Sequence, residues 1–232
     1  MQIQGLQKLT LLDYAGHLAC TVFCHGCNFR CPFCHNASLV VPQTTAPPLL
    51  TGDDVLRWLE KRVGLLDGVC VSGGEPLLQP DLADFLHAVK ELGFAVKLDT
   101  NGSFPERLQA LLSAGLPDYV AMDIKNSPRR YAETAGTADA LAPVQQSVAL
   151  LRQGAIPYEF RTTVVRELHG PEEMRAIGEW IAGAERYFLQ AFVDSDQVIA
   201  GPGRFSSYTK EQLESLADVV RPYVKQVAIR GI

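Results

Sequence analysis

The 232 residues hold no run of basic side chains, and the formal net charge is −5. That balance argues against a general nucleic-acid or membrane-surface binder. No apolar run is long enough to span a bilayer. The N-terminal stretch MQIQGLQKLTLLDYAG lacks the apolar core of a signal peptide, so a cytoplasmic location is expected. Cysteine is scarce outside one short stretch. Of six cysteines, four fall between Cys24 and Cys34, and none lies from Val40 to Val69. Cytoplasmic thiols stay reduced, so such a group speaks for metal or redox chemistry and against a disulfide framework.

Interdomain linkers and internal repeats are also missing. The length suits one large domain or two small ones. Periodic apolar segments run from end to end, which predicts a single domain over residues 1–232. Short apolar runs rich in Val, Phe, Tyr and Thr read as strands: HLACTVF from His17 to Phe23, then DGVCVSG, FAVKLDT, YVAMDIK, YEFRTTVV and RYFLQAFV. Helical patterns lie between them. In PDLADFLHAVKELG, Leu82, Phe85, Leu86, Val89 and Leu92 share one face and Gly93 is placed to end the helix. Thr51 and Asp54 stand at capping-box spacing. Further helices are expected near Pro105–Ala114, Leu141–Gln153, Pro171–Ala182 and Lys210–Tyr223. This alternation predicts a parallel α/β sheet with right-handed crossovers and chemistry at the C-terminal strand ends. Two segments read as irregular: Val40 to Gly52, rich in Pro and Thr, and Asp194 to Thr209, rich in Gly and Ser.

CHGCNFRCPFCHN, from Cys24 to Asn36, admits three readings. A structural zinc site needs four closed ligands, and Cys24/Cys27 with Cys31/Cys34 form two CxxC pairs, though set closer than in a usual zinc ribbon. A ferredoxin-type cluster needs four thiolates, and only part of its spacing is present. In the third reading, Cys27, Cys31 and Cys34 form a Cys-x3-Cys-x2-Cys trio. Three thiolates on a [4Fe–4S] cube leave one iron open to a substrate.

CNFRCPFC resembles the signature of the radical S-adenosylmethionine (SAM) superfamily. With VSGGEPLLQPDL, KLDTNG and AMDIK, the chain is similar to glycyl-radical-enzyme activating proteins. TLLDYAGHLACTVF resembles most the activating proteins of anaerobic ribonucleoside-triphosphate reductases. The resemblance weakens after about Val165. It implies a partial (β/α)6 TIM-type barrel with one [4Fe–4S] cluster at its open top, held by Cys27, Cys31 and Cys34. Cys24 is then the extra cysteine, and Cys20 and Cys70 belong to the core.

The resemblance also assigns the strand ends. Gly73, Gly74 and Glu75 would receive the ammonium of SAM. Asp99, Thr100 and Asp123 would hold a Na+ or K+ ion beside SAM, since two carboxylates in one barrel mouth need a cation or protons. Asp99 would also contact SAM. Lys125 would contact SAM, as would Arg161, whose charge in mid-strand must point into the barrel. Phe33 would pack near the adenine, with an ordinary apolar role as the alternative. Relatives can carry a histidine after the sixth strand, where this chain reads LQAFVDSD. His25 and His35 read as loop residues, His35 next to the cluster pocket.

The activity implied is reductive cleavage of SAM. One electron from the cluster breaks the S–C5′ bond, giving methionine and a 5′-deoxyadenosyl radical, which takes hydrogen from a glycine Cα of a partner enzyme. An anaerobic ribonucleotide reductase is the implied partner, and a flavodoxin or ferredoxin the electron donor. A pyruvate formate-lyase type partner or a small-molecule substrate is the alternative within the superfamily. A non-catalytic zinc or iron–sulfur module is the alternative outside it. The segment Asp194 to Thr209 is expected at the barrel mouth as a partner-contacting flap.

Overall fold

Val69, Cys70 and Val71 are all buried, although their side chains alternate in direction along one strand. Only a strand covered on both faces does this, as in a parallel sheet inside an α/β protein. The computed structural model describes residues 1–40 and 49–232. Its strands are β1 (Gln2–Thr10), β2 (Ala19–Cys24), β3 (Leu50–Thr51), β4 (Gly68–Gly73), β5 (Ala95–Thr100), β6 (Tyr119–Asp123), β7 (Tyr158–Val164), β8 (Arg186–Ala191) and β9 (Gln226–Arg230). The helices are α1 (Ala37–Val40), α2 (Gly52–Glu60), α3 (Leu82–Glu91), α4 (Pro105–Ser113), α5 (Tyr131–Ala135), α6 (Leu141–Arg152), α7 (Pro171–Trp180) and α8 (Lys210–Val220).

All nine strands join one sheet in the order β3-β1-β2-β4-β5-β6-β7-β8-β9. From β2 to β9 every pair is parallel. β1 runs antiparallel to β2 and to β3. The six expected strands are β2 and β4 to β8, which form the expected partial barrel. The sheet is wider than expected by β9 at one edge and by the β1/β3 pair at the other.

Local signals explain the helices. Thr51 caps α2 through the backbone N–H of Asp54, and Asp54 returns a bond from the Thr51 N–H, so the capping box is made. Leu82, Phe85, Leu86 and Val89 bury one face of α3, and Gly93 follows it at φ +89°. The Pro- and Thr-rich segment lies partly outside the described residues, at positions 41–48. Its end, Leu50–Thr51, is β3.

The barrel interior is unusually charged. Lys97, Asp99 and Glu159 are buried, and each is paired. Glu159 accepts from Arg230 and, at 2.9 Å, from the Tyr119 hydroxyl. Among the described residues no buried side-chain N or O lacks a partner. Such a lining stays folded only because every charge is compensated.

Candidate active site

The cysteine loop leaves β2 at Cys24 and is tied down by backbone hydrogen bonds. Gly74 N–H donates to Cys24 O at 3.0 Å, and Glu75 N–H to Gly26 O at 2.8 Å. Arg30 N–H donates to Ala135 O at 2.8 Å. The two glycines after β4 are required by this contact. A Cβ on Gly74 would stand 1.9 Å from Gly26 O, and one on Gly73, at φ +114°, would stand 2.4 Å from Cys24 N. Sequence reasoning assigned these glycines to ligand approach. The structure adds that the backbone approaching them is that of the cysteine loop itself.

Cys27, Cys31 and Cys34 line one cavity of about 380 Å³. Gly73, Gly74, Asp99 and Thr100 line it from the ends of β4 and β5, and Asp123, Lys125 and Arg161 from β6 and β7. Phe33 joins them, its ring edge-on to His169 and to Phe205. The topology thus brings together all but one of the expected site residues at the C-terminal strand ends, where parallel α/β folds place ligands.

The exception is Glu75. It is fully buried and is not on the cavity wall. Its carboxylate accepts from Asn101 N–H at 2.7 Å, Thr100 Oγ1 at 2.8 Å and Leu77 N–H at 3.0 Å. Burial pushes it up to about 7, against these three donors. Glu75 thus fastens the end of β4 to the end of β5. The Thr100 hydroxyl is likewise engaged, donating to Glu75 and accepting Gly102 N–H at 3.0 Å.

Asp99 and Asp123 do meet, and a protein cation lies between them. Arg161 reaches Asp99 at 3.0 Å through one nitrogen and Asp123 at 2.5 Å through Nε. Lys97 pairs with Asp99 at 2.7 Å, and Lys125 with Asp123 at 2.8 Å. Burial would raise both carboxyls, but Arg161 and then the lysines hold them below the usual carboxylate range. The charge argument for an alkali cation loses its premise here, because Arg161, Lys97 and Lys125 together already compensate the two carboxylates.

This gives a test of the interior network. Arg161→Met should remove the cation shared by Asp99 and Asp123, leave each carboxylate only its lysine, and destabilise the fold by roughly 1–3 kcal/mol at neutral pH. Depressed carboxyls contribute stability above their unfolded pKa and lose it as pH falls through the folded value. The wild type should therefore lose this contribution in acid. In the variant the carboxyl pKa values rise, protonation relieves the repulsion, and the gap to wild type should narrow as pH falls from 7 toward 4. Urea unfolding at several pH values measures it; a gap independent of pH would reject the network.

Several contributors escaped sequence reasoning. Asn101 lines the cavity beside Cys27, and Ser72 donates to Asp99 at 2.9 Å. Asp13 and Gln190 also line it. Gln190 comes from β8, the sixth of the expected strands. Asn101 was readable as part of KLDTNG, but its contact with residue 27 was not. His35 lies on the cavity wall, whereas His25 is turned to Gln4, with Nδ1 3.0 Å from Oε1.

Within the segment Asp194 to Thr209, Ile199 and Ala200 fasten to the cysteine loop. Ile199 N–H donates to Cys34 O and Ala200 N–H to Pro32 O, each at 3.0 Å. Val198 is buried there.

The donor set fits an iron–sulfur cube. Cys27, Cys31 and Cys34 share the cavity, while Cys20, Cys24 and Cys70 are buried in strands and do not line it. Among the described residues, no three His, Cys, Asp or Glu side chains converge as a single metal ion needs. A cube needs no such convergence, since each thiolate meets a different iron. Burial pushes the Cys27 thiol up to about 11 and Cys31 up to about 12, so metal binding must displace their protons.

The Radical SAM superfamily model matches residues 21–180. A provisionally named glycyl-radical enzyme activating enzyme of Methanocaldococcus jannaschii is 27% identical, over 99% of this chain and 96% of its own. The pyruvate formate-lyase-activating enzyme of Listeria monocytogenes is 30% identical, over 78% of this chain and 75% of its own. Among solved structures, a domain of pyruvate-formate lyase-activating enzyme from Bacteroides vulgatus shares the fold with a TM-score of 0.58 and 16% identity, covering 71% of this chain and 99% of that one. SuiB of Streptococcus suis bound to S-adenosylmethionine has a TM-score of 0.71 and 14% identity, over 90% of this chain and 49% of that one. No helix among the described residues is long and apolar enough to cross a membrane.

Proposed function

Because the chain belongs to the radical SAM superfamily, among its activases of glycyl-radical enzymes, we propose that its partner is an anaerobic ribonucleotide reductase and that the cavity at the strand ends is where SAM is cleaved. The observation that carries the site reading is the shared cavity. Three cysteines form one side of it, and glycines and paired charges at four strand ends form the other. Membership of the family implies a [4Fe–4S] cluster and SAM. Cys27, Cys31 and Cys34 would hold the cluster. When bound, it supplies the one electron that cleaves SAM to methionine and a 5′-deoxyadenosyl radical, which abstracts hydrogen from a glycine Cα.

The chain's own residues position and exclude. Strand-end backbone at Gly73 and Gly74 would take the SAM ammonium. Lys125 and Arg161 would meet its carboxylate, and Asp99 or Asp123 its ribose hydroxyls. Phe33, buried beside Cys34, would cover the adenine. The buried apolar side chains around the cavity keep bulk water from a reactive radical. A flavodoxin or ferredoxin would deliver the electron. A Na+ or K+ ion at Asp99, Thr100 and Asp123 rests on the resemblance alone, and omitting alkali ions from the assay tests it.

The reductase is favoured by the stretch Leu11 to Phe23, which forms the turn after β1 and most of β2. A second reading, a pyruvate formate-lyase type partner, is favoured by the Listeria relative. Reduced protein, SAM and the organism's own reductase, mixed without oxygen, should give a glycine-centred doublet by electron paramagnetic resonance. A doublet on a formate-lyase and none on the reductase would keep the chemistry and move the partner. SAM cleavage with no protein radical on any glycyl-radical candidate would reject the activase reading.

A further inference from the structure

Cys27 differs from Cys31 and Cys34 in its surroundings. Its Sγ accepts the backbone N–H of Phe29 at 3.4 Å and lies 3.8 Å from Nδ2 of Asn101. Among the described residues, no hydrogen bond reaches Sγ of Cys31 or Cys34. Asn101 is buried, and its backbone N–H is held by Glu75 Oε2 at 2.7 Å.

The orientation of the Asn101 carboxamide follows from its neighbours. Oδ1 accepts two donors, Ser103 N–H at 2.9 Å and Ser103 Oγ at 2.6 Å. Nδ2 donates to Asn28 Oδ1 at 3.0 Å. Asn28 closes the ring by donating from its own Nδ2 to Ser103 Oγ at 2.9 Å. Flipping the Asn101 amide would turn Nδ2 toward the Ser103 backbone N–H, which can only donate, and Oδ1 toward the Asn28 oxygen and the Cys27 sulfur. The N–H is therefore aimed at Cys27 by a closed set of three side chains, one of them inside the cysteine loop.

A donor aimed at a ligating sulfur favours the more negative, reduced state of an iron–sulfur cluster and raises its potential. We propose that Asn101 is a positioning residue that sets the reduction potential of the cluster through Cys27, with Ser103 and Asn28 holding its amide in place. The proposal rests on reading Cys27, Cys31 and Cys34 as the cluster ligands. It gives KLDTNG a role beyond lining the cavity: Glu75 fixes the Asn101 main chain while Asn101 addresses the loop that β4 also grips.

The test is a redox titration of the reconstituted protein, followed by the electron paramagnetic resonance of the reduced cluster, with iron counted on the same samples. Asn101→Leu and Asn101→Ala should keep wild-type iron and shift the midpoint to more negative potential. Ser103→Ala, which only loosens the amide, should shift it less. Equal midpoints in wild type and the Asn101 variants, with iron intact, would overturn the proposal. Loss of iron from both Asn101 variants would overturn it as well, because the residue would then hold the loop and not tune it. Failure of the underlying cluster reading looks different: the wild type itself would bind no four-iron cluster.

Discussion

Cys27→Ala, Cys31→Ala and Cys34→Ala should each abolish SAM cleavage and strip most of the iron, while Cys24→Ala keeps both. The asymmetry follows from where the thiols point. Cys27, Cys31 and Cys34 open into the cavity, so each removal leaves one iron without its protein ligand. Cys24 ends β2, is fully buried, and has burial as the main reason its thiol is pushed up. Truncating it removes one sulfur from the core, a loss on the order of 1–2 kcal/mol that a folded domain tolerates. Iron and sulfide analysis of the four variants decides it. Iron lost with Cys24 and retained without Cys27 would reverse the assignment.

Gly74→Ala should be nearly as damaging, without touching any ligand. Its Cβ would lie 1.9 Å from Gly26 O and 2.5 Å from Gly26 C, both backbone atoms. No rotamer relieves such a clash, so the end of β4 and the cysteine loop must part, and the Glu75 to Gly26 hydrogen bond goes with them. The expected result is a several-fold loss of bound iron and a fold weakened by roughly 1–3 kcal/mol or more. Gly93→Ala is the control: unlike Gly74 it has positive φ, at +89°, but its Cβ would meet open space. It should lose about 1 kcal/mol and no iron. Equal iron in the Gly74 and Gly93 variants would show that the glycine contact does not hold the loop.

The strands that carry the site were readable because each is a short apolar run between helical patterns. β1 was not. Its pairing with β2 slips between Ile3 and Gly5 and again between Gln7 and Thr10, so its burial does not alternate. β9 is a five-residue edge strand with no fully buried side chain, which leaves little apolar pattern to read. The cysteine trio was legible because its spacing is local. What surrounds it was not, because Asn101 and Ile199 reach the loop only through the sheet order. Glu75 shows the opposite failure. Its place at a strand end marked it as a ligand contact, but two of the three donors to its carboxylate, Thr100 and Asn101, come from the end of the next strand. Charge reasoning at Asp99 and Asp123 asked for a cation or protons. It could not see that Arg161, a strand away, supplies it.

The most direct measurement of the central claim is anaerobic reconstitution with iron and sulfide, reduction, and addition of SAM. Iron, sulfide, zinc and 5′-deoxyadenosine are then quantified on one sample. The account predicts about four irons per chain with matching sulfide and 5′-deoxyadenosine released with methionine. About one zinc per chain, with SAM recovered intact, would contradict it.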